Sequence, residues 1–227
     1  MTLVLVGDTN SRKIIRQLQV RKWGRMFATR RPRLYDGEPW GFDNGAYVCW
    51  TRGQPFDEPE FLRRLAEASR LNIAPYLAVV PDIVACGCSS LQFSLKWIER
   101  LRLYGEQSER GSNPAFPSRW SWYLAVQDGM TIHDVKPHMG LFDGVFLGGT
   151  DVFKTKAWTW CRFAHDEGKR FHYGRAGTLP KMKSAVKMGA DSLDSSFPLW
   201  EARRFEIFWK QYDGVWLQSS FPYLERA

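Results

Sequence analysis

The residues of this chain best suited to chemistry are acids at the ends of short apolar segments. Gly189-Ala190-Asp191-Ser192-Leu193-Asp194-Ser195-Ser196 places two carboxylates on a strand-like stretch between two helical patterns. Taken alone, Asp191 reads as a turn former and Asp194 as the cap of the helix that follows. Other polar groups recur in equivalent places. Asp43 closes Trp40-Gly41-Phe42, Asp82 follows Tyr76–Pro81, and Gln127 follows Trp122–Val126. Gly148-Gly149 ends Gly144–Leu147, and His172 and Arg175 mark the end of Arg170–Tyr173. Carboxylates without a metal-ligand pattern to explain them serve as nucleophiles or as proton donors and acceptors. Asp191 reads as structural.

For these groups to act together, the segments must share one end. Residues 3–6, 25–28, 40–43, 76–80, 122–127, 144–147, 170–173 and the Gly189–Ser196 stretch form eight strand-like units. Helical patterns separate most of them: Ile14, Ile15 and Leu18 within 11–19; Phe61, Leu62, Leu65, Ala66 and Ser69; Leu91, Leu95, Ile98 and Leu101. Phe153, Ala157, Trp160 and Ala164 form a further stripe, followed by a segment over 179–188 and a last helix with Leu199, Phe205, Phe208 and Tyr212. Thr131-Ile132-His133-Asp134 has the form of a capping box. The spans 29–38 and 105–118 read as loops. Such alternation predicts a parallel sheet, and eight units in 227 residues favour a single closed (β/α)8 TIM-like barrel over 1–227, without a zinc subdomain. An open α/β sheet is the alternative. In a barrel, the polar strand ends open onto one mouth.

Hydrophobic residues make up 44% of the chain, enough for a core, and no apolar run approaches the roughly 18 residues needed to cross a bilayer. A cytoplasmic protein with no membrane contact is expected. Cys49, Cys86, Cys88 and Cys161 show no disulfide framework and read as packing residues, and no metal or cofactor is expected. The net charge of +8 favours a polyanionic partner. It is concentrated between Asp8 and Asp36, where nine Lys and Arg residues occur without an acid; the run ends in Arg30-Arg31-Pro32-Arg33, which suits a loop laid against phosphates.

Five short motifs, in order, resemble those of the tRNA-guanine transglycosylase superfamily. Gly41-Phe42-Asp43-Asn44-Gly45-Ala46-Tyr47 is similar to its Asp-Ser-Gly-Gly-Phe motif, Val80-Pro81-Asp82 to its base-reading Asp, and Leu124–Gly129 to its Val-Gln-Gly-Gly segment. Gly144–Gly149 is similar to its Gly-Gly-Leu loop, and Gly189–Asp194 to its Gly-x-Asp-Met-Phe-Asp. The resemblance implies a barrel that exchanges guanine in nucleic acid for a free 7-deazaguanine base. Asp194 would be the nucleophile on the sugar C1′ and Asp43 the general acid/base. Asp82, Asn44, Gln127, Gly148 and Gly149 would bind the base, with Tyr47 stacking on it or serving as a core aromatic. His172, Arg175, Arg30, Arg31 and Arg33 would meet the nucleic acid; for His172 a satisfied strand-end histidine, and for Arg175 a surface ion pair, are the alternatives.

The chain also departs from the tRNA enzymes. It has no Cys-x-Cys-x-x-Cys zinc pattern and ends at Ala227, soon after Asp194. It more closely resembles the compact DNA-directed branch, the 7-deazaguanine DNA transglycosylases of phages and bacterial DNA-modification clusters, which implies double-stranded DNA as partner. A tRNA substrate, or a basic nucleic-acid-binding barrel without activity, are the alternatives.

Overall fold

A computed structural model describes residues 2–109 and 120–196, with Leu199, Glu206, Ile207 and Lys210 beyond them. Eight parallel strands, β1 (Leu3–Gly7), β2 (Gly24–Phe27), β3 (Trp40–Phe42), β4 (Leu77–Val79), β5 (Trp122–Val126), β6 (Gly144–Leu147), β7 (Arg170–Tyr173) and β8 (Ser192–Ser195), pair in chain order. β8 returns to pair with β1, Leu5 opposite Asp194, and closes the (β/α)8 barrel. The helices are α1 (Arg12–Arg21), α2 (Ala46–Thr51), α3 (Glu58–Ala68), α4 (Gly87–Glu109), α5 (Ile132–Val135) with a following 3-10 turn, α6 (Asp151–Lys154), α7 (Ala157–Asp166) and α8 (Leu179–Lys187).

The strands' period of two sorts their side chains into two cores. Leu5, Met26, Leu77, Val79, Tyr123 and Ala125, with Leu3 and Phe146, fill the barrel. Val4, Val6, Phe42, Ala78, Leu124, Val126, Val145, Phe171 and Leu193 face the helices. The same alternation turns His172, Ser192 and Asp194 inward, since Phe171 and Leu193 point out. Gly41 falls at an inward position of β3, where a Cβ would lie 2.3 Å from the Met26 sulfur.

Local chemistry places the elements as expected in several places. Asp57 caps α3 by accepting from the Glu60 N–H at 3.0 Å, and Thr131 and Asp134 form the capping box of α5. Other expectations are corrected. Helix α4 runs on to Glu109, so residues 105–109 are helical where a loop was expected; residues 110–118 of the expected loop lie outside the described residues, as do Phe205, Phe208 and Tyr212 of the expected last helix. The fully buried face of α3 is Phe61, Arg64, Leu65 and Ala68, so an arginine joins the apolar stripe, while Leu62 packs partly buried against the core. Cys86 and Cys88 are exposed and are not packing residues. No helix among the described residues is long and apolar enough to cross a membrane.

The basic run divides in two. Arg25 is buried, and its guanidinium clasps Glu38 at 2.6 and 2.7 Å while donating to the Thr9 and Arg33 carbonyls. This bidentate pair pins the helix-free β2–β3 connection from within. Arg30, Arg31 and Arg33 remain exposed on that connection. Arg30 also reaches Asp8, just past β1: its backbone N–H donates to Asp8 Oδ2 at 3.3 Å.

Candidate active site

Asp194 lies near the C-terminal end of β8, an inward position at the barrel mouth. Its Oδ1 accepts the Arg175 backbone N–H at 3.1 Å and lies 2.9 Å from His172 Nε2. Among the described residues nothing bonds to its Oδ2. His172 has no exposed surface, whereas Asp194 keeps 17% of its side chain open, so the carboxylate alone reaches the mouth. The imidazole stacks on Phe146, centroids 4.8 Å apart, and its Nδ1 meets Ser192 Oγ at 2.7 Å. An ionised carboxylate only accepts, so Nε2 carries the proton toward Asp194. His172 therefore orients Asp194, which corrects the expectation that it contacts nucleic acid.

Asp191, three residues earlier, lies at the other end of the same strand. It accepts the Phe171 N–H at 2.8 Å and meets His165 at 3.1 Å, a structural role as expected.

Asp43 follows β3 directly. Its Oδ1 accepts the Gly45 N–H at 2.7 Å, and its carbonyl accepts from Arg64, which also donates to the Phe27 carbonyl. Desolvation pushes the Asp43 carboxyl above its ordinary range; the Gly45 N–H and the Arg64 charge oppose this, and Asp194 adds to it. The Asp194 charge therefore acts at Asp43.

Asp82 is buried within reach of the Asp43 charge. Asn44 donates to its Oδ1 and Gln127 to its Oδ2, each at 2.6 Å, yet burial raises its pKa to about 6. Both amides are themselves spent. Asn44 also donates to the Val80 carbonyl and accepts from the Ala46 N–H, while Gln127 also donates to Ser90 Oγ and accepts from the Ala85 N–H. With both N–H bonds of each amide engaged, Asn44 and Gln127 hold Asp82 in place rather than offering donors to a base. This corrects their assignment as direct base contacts.

The pKa of Asp82 has a stability consequence. The folded state holds a proton that the unfolded chain releases between about pH 4 and 6, so rising pH through that window costs wild-type stability. The stability of wild type minus that of Asp82→Asn should fall by a few kcal/mol between pH 4 and pH 7.5, measured by urea unfolding. A difference independent of pH would mean that Asp82 is not perturbed.

The Gly148 N–H is engaged with the Val126 carbonyl at 2.9 Å, so it too is taken. Gly149 adopts φ +72, and a Cβ there would meet Asp128 Oδ2 and Phe153 at 2.8 Å. Asp128 binds the Thr150 N–H at 2.7 Å and Thr150 Oγ1 at 2.6 Å; although burial works the other way, these bonds hold its carboxyl below the ordinary range. Tyr47 is exposed, not a core aromatic. The Arg175 guanidinium sits 4.7 Å over its ring, and Trp50 lies 5.6 Å away. Arg175 also donates to the Gly149 carbonyl.

The structure thus brings Asp43, Asp82, Asp194, Tyr47, Gly149 and Arg175 to one mouth, with Asn44, Gln127 and His172 behind them. Arg64, Ser90, Asp128 and Ser192 are further members that sequence reasoning missed. Only Arg64 carried a signal, a charge on the apolar stripe of α3. Among the described residues no three His, Cys, Asp or Glu side chains are grouped to hold a metal ion.

Fold and site together define a (β/α)8 barrel with an acidic, hydrogen-bonded mouth. No family model matches the chain. Over 58 residues it is 41% identical to alpha-elapitoxin-Djk2a of Dendroaspis jamesoni kaimosae, a match covering 24% of this chain and 78% of the toxin. A quarter of a chain whose eight strands close one barrel does not specify that barrel, and the match carries no argument about its mouth.

Proposed function

We propose that this protein is a base-exchange transglycosylase that replaces guanine in DNA with a 7-deazaguanine through a covalent intermediate on Asp194. The observation that carries the reading is the Asp194 carboxylate: one oxygen is held by two donors, the other has no hydrogen-bond partner among the described residues, and its charge acts on Asp43, whose carboxyl burial raises above its ordinary range. This is the equipment of a nucleophile paired with an acid. In the first half-reaction Asp194 Oδ2 bonds to C1′ as the bond from C1′ to guanine N9 breaks, and Asp43 gives its proton to the departing base. In the second, Asp43 takes the proton from N9 of the incoming base, N9 bonds to C1′, and the ester to Asp194 breaks. Two displacements predict retained configuration and ping-pong kinetics. Asp82 faces the purine N–H edge, trading its bonds to Asn44 or Gln127 for bonds to the base.

A guanine inside a duplex has to leave the stack to enter this mouth, at a cost of a few kcal/mol. The exposed Arg30, Arg31 and Arg33 supply phosphate contacts that offset it. Replacing all three with Gln should weaken DNA binding and reduce the slope of log K against log salt by roughly 2 to 3. Titrations at several salt concentrations check this, and an unchanged slope would place the phosphates elsewhere.

The reading is tested by incubating the protein with duplex DNA or tRNA and a labelled 7-deazaguanine base, followed by mass spectrometry of the nucleosides. Label in DNA is expected. Label in tRNA alone would select the tRNA reading, and label in neither, with binding retained, would leave a nucleic-acid-binding barrel.

A further inference from the structure

A buried lysine that the proposed chemistry does not use lies behind Asp194. Lys154, the last residue of α6, is only 5% exposed. Its Nζ donates to the Gly174 carbonyl and lies 5.3 Å from the centre of the Tyr173 ring. Gly174 is packed so closely that a Cβ would come within 2.7 Å of the Leu147 carbonyl and 2.9 Å of the Phe146 ring. The next residue, Arg175, adopts φ 55, a left-handed conformation that a side chain disfavours. This turn directs two successive N–H groups at one residue: Arg175 N–H to Asp194 Oδ1 at 3.1 Å, and Ala176 N–H to the Asp194 carbonyl at 2.7 Å. Two basic side chains hold the turn, Arg175 on the Gly149 carbonyl and Lys154 on the Gly174 carbonyl.

We propose that Lys154 is a positioning residue for Asp194: by holding the Gly174 carbonyl it fixes the left-handed turn whose N–H groups hold Asp194, that of Arg175 on its carboxylate and that of Ala176 on its backbone carbonyl. The link to catalysis rests on Asp194 being the nucleophile of the proposed exchange; the link to the turn does not.

The charges around Lys154 set a test that a plain structural prop would fail. It faces Asp151 on its own helix, Arg175 beyond β7, Lys181 on α8 and Asp194 on β8. Burial, then the Arg175 charge, lowers its pKa to about 7, with Asp194 and Asp151 acting in the opposite sense. Between about pH 7 and the ordinary lysine value the unfolded chain holds the extra proton, so the folded state gains stability as pH rises through that window. Below pH 7 the full cost of the buried ammonium remains. Lys154→Met removes that cost while losing the tie to Gly174. It should raise Tm at pH 6, with a smaller gain at pH 9, and loosen the turn.

The experiment compares wild type with Lys154→Met by amide hydrogen exchange, thermal melting at both pH values, and steady-state base exchange. Arg175 and Ala176 amides should exchange at least tenfold faster in the variant, with β1–β5 amides unchanged, and kcat should fall with KM for DNA unaltered. Unchanged protection at Arg175 and Ala176 overturns the proposal. So does a variant less stable than wild type at pH 6, or one that does not fold, since Lys154 would then support the fold itself. A loosened turn with unaltered kcat removes the positioning role. If wild type shows no base exchange, the proposed function fails, while the amide arm still decides whether Lys154 holds the Asp194 turn.

Discussion

Asp194→Asn should abolish base exchange, lowering kcat on the order of 10⁴-fold or more, with DNA affinity and its salt dependence preserved. The expectation follows from which atoms the substitution changes. An Asn side chain keeps an oxygen to accept from His172 and from the Arg175 N–H, so the turn and the barrel mouth retain their bonds. It loses the negative charge and the second oxygen, which in the proposed exchange attacks C1′. Chemistry should therefore fail while binding, which the proposed reading assigns to Arg30, Arg31 and Arg33, should not. Single-turnover assays with intact-mass measurement of the protein check both halves: wild type should accumulate a glycosyl ester when no incoming base is supplied, and the variant should not. An Asp194→Asn protein that retains a tenth of wild-type activity would remove Asp194 as nucleophile.

Asp43→Asn should slow the release of guanine by roughly 10²- to 10⁴-fold, the range spanned by a positioned general acid. Because desolvation raises the Asp43 carboxyl, its proton persists to a higher pH than that of an exposed aspartate. Guanine release requires the protonated form, so in wild type this half-reaction should slow as pH rises through the elevated pKa. Uptake of the incoming base requires the ionised form and should show the opposite limb. An Asn cannot change protonation, and both limbs should disappear from the pH profile of the variant. Rapid-quench measurement of each half-reaction between pH 5 and 9 separates them. A variant with the wild-type pH profile would assign the proton to another group.

The two aspartates illustrate how much of the site was legible from residue order. Asp191 and Asp194 look alike in sequence, three positions apart on one short stretch. In the barrel they sit at opposite ends of β8, Asp191 bonded to the Phe171 N–H and His165, Asp194 opening at the mouth. Strand direction separates them, and strand direction follows from the β-α alternation that residue patterns carry. Partners were harder to read. Gln127 and Asn44 both follow strands and look available to a ligand, yet the folded chain spends their amides on Asp82, Ser90 and Val80. The lysine behind Asp194 left no trace in sequence, because nothing distinguishes a buried Lys154 from an exposed one until α6 is packed.

By itself the sequence determined the alternation of eight apolar strands with amphipathic helices, and hence a parallel barrel whose strand ends carry acids. These depend on local periodicity and on chain direction, which are properties of neighbouring residues. Only the tertiary structure decided which polar groups open to the barrel mouth and which satisfy each other, and that Arg25 and Lys154 are interior basic groups while Arg30, Arg31 and Arg33 stay outside. The reason is that burying a polar group is tolerable only with a partner, and those partners come from elsewhere in the chain: Glu38 for Arg25, Gly174 for Lys154, His172 for Asp194.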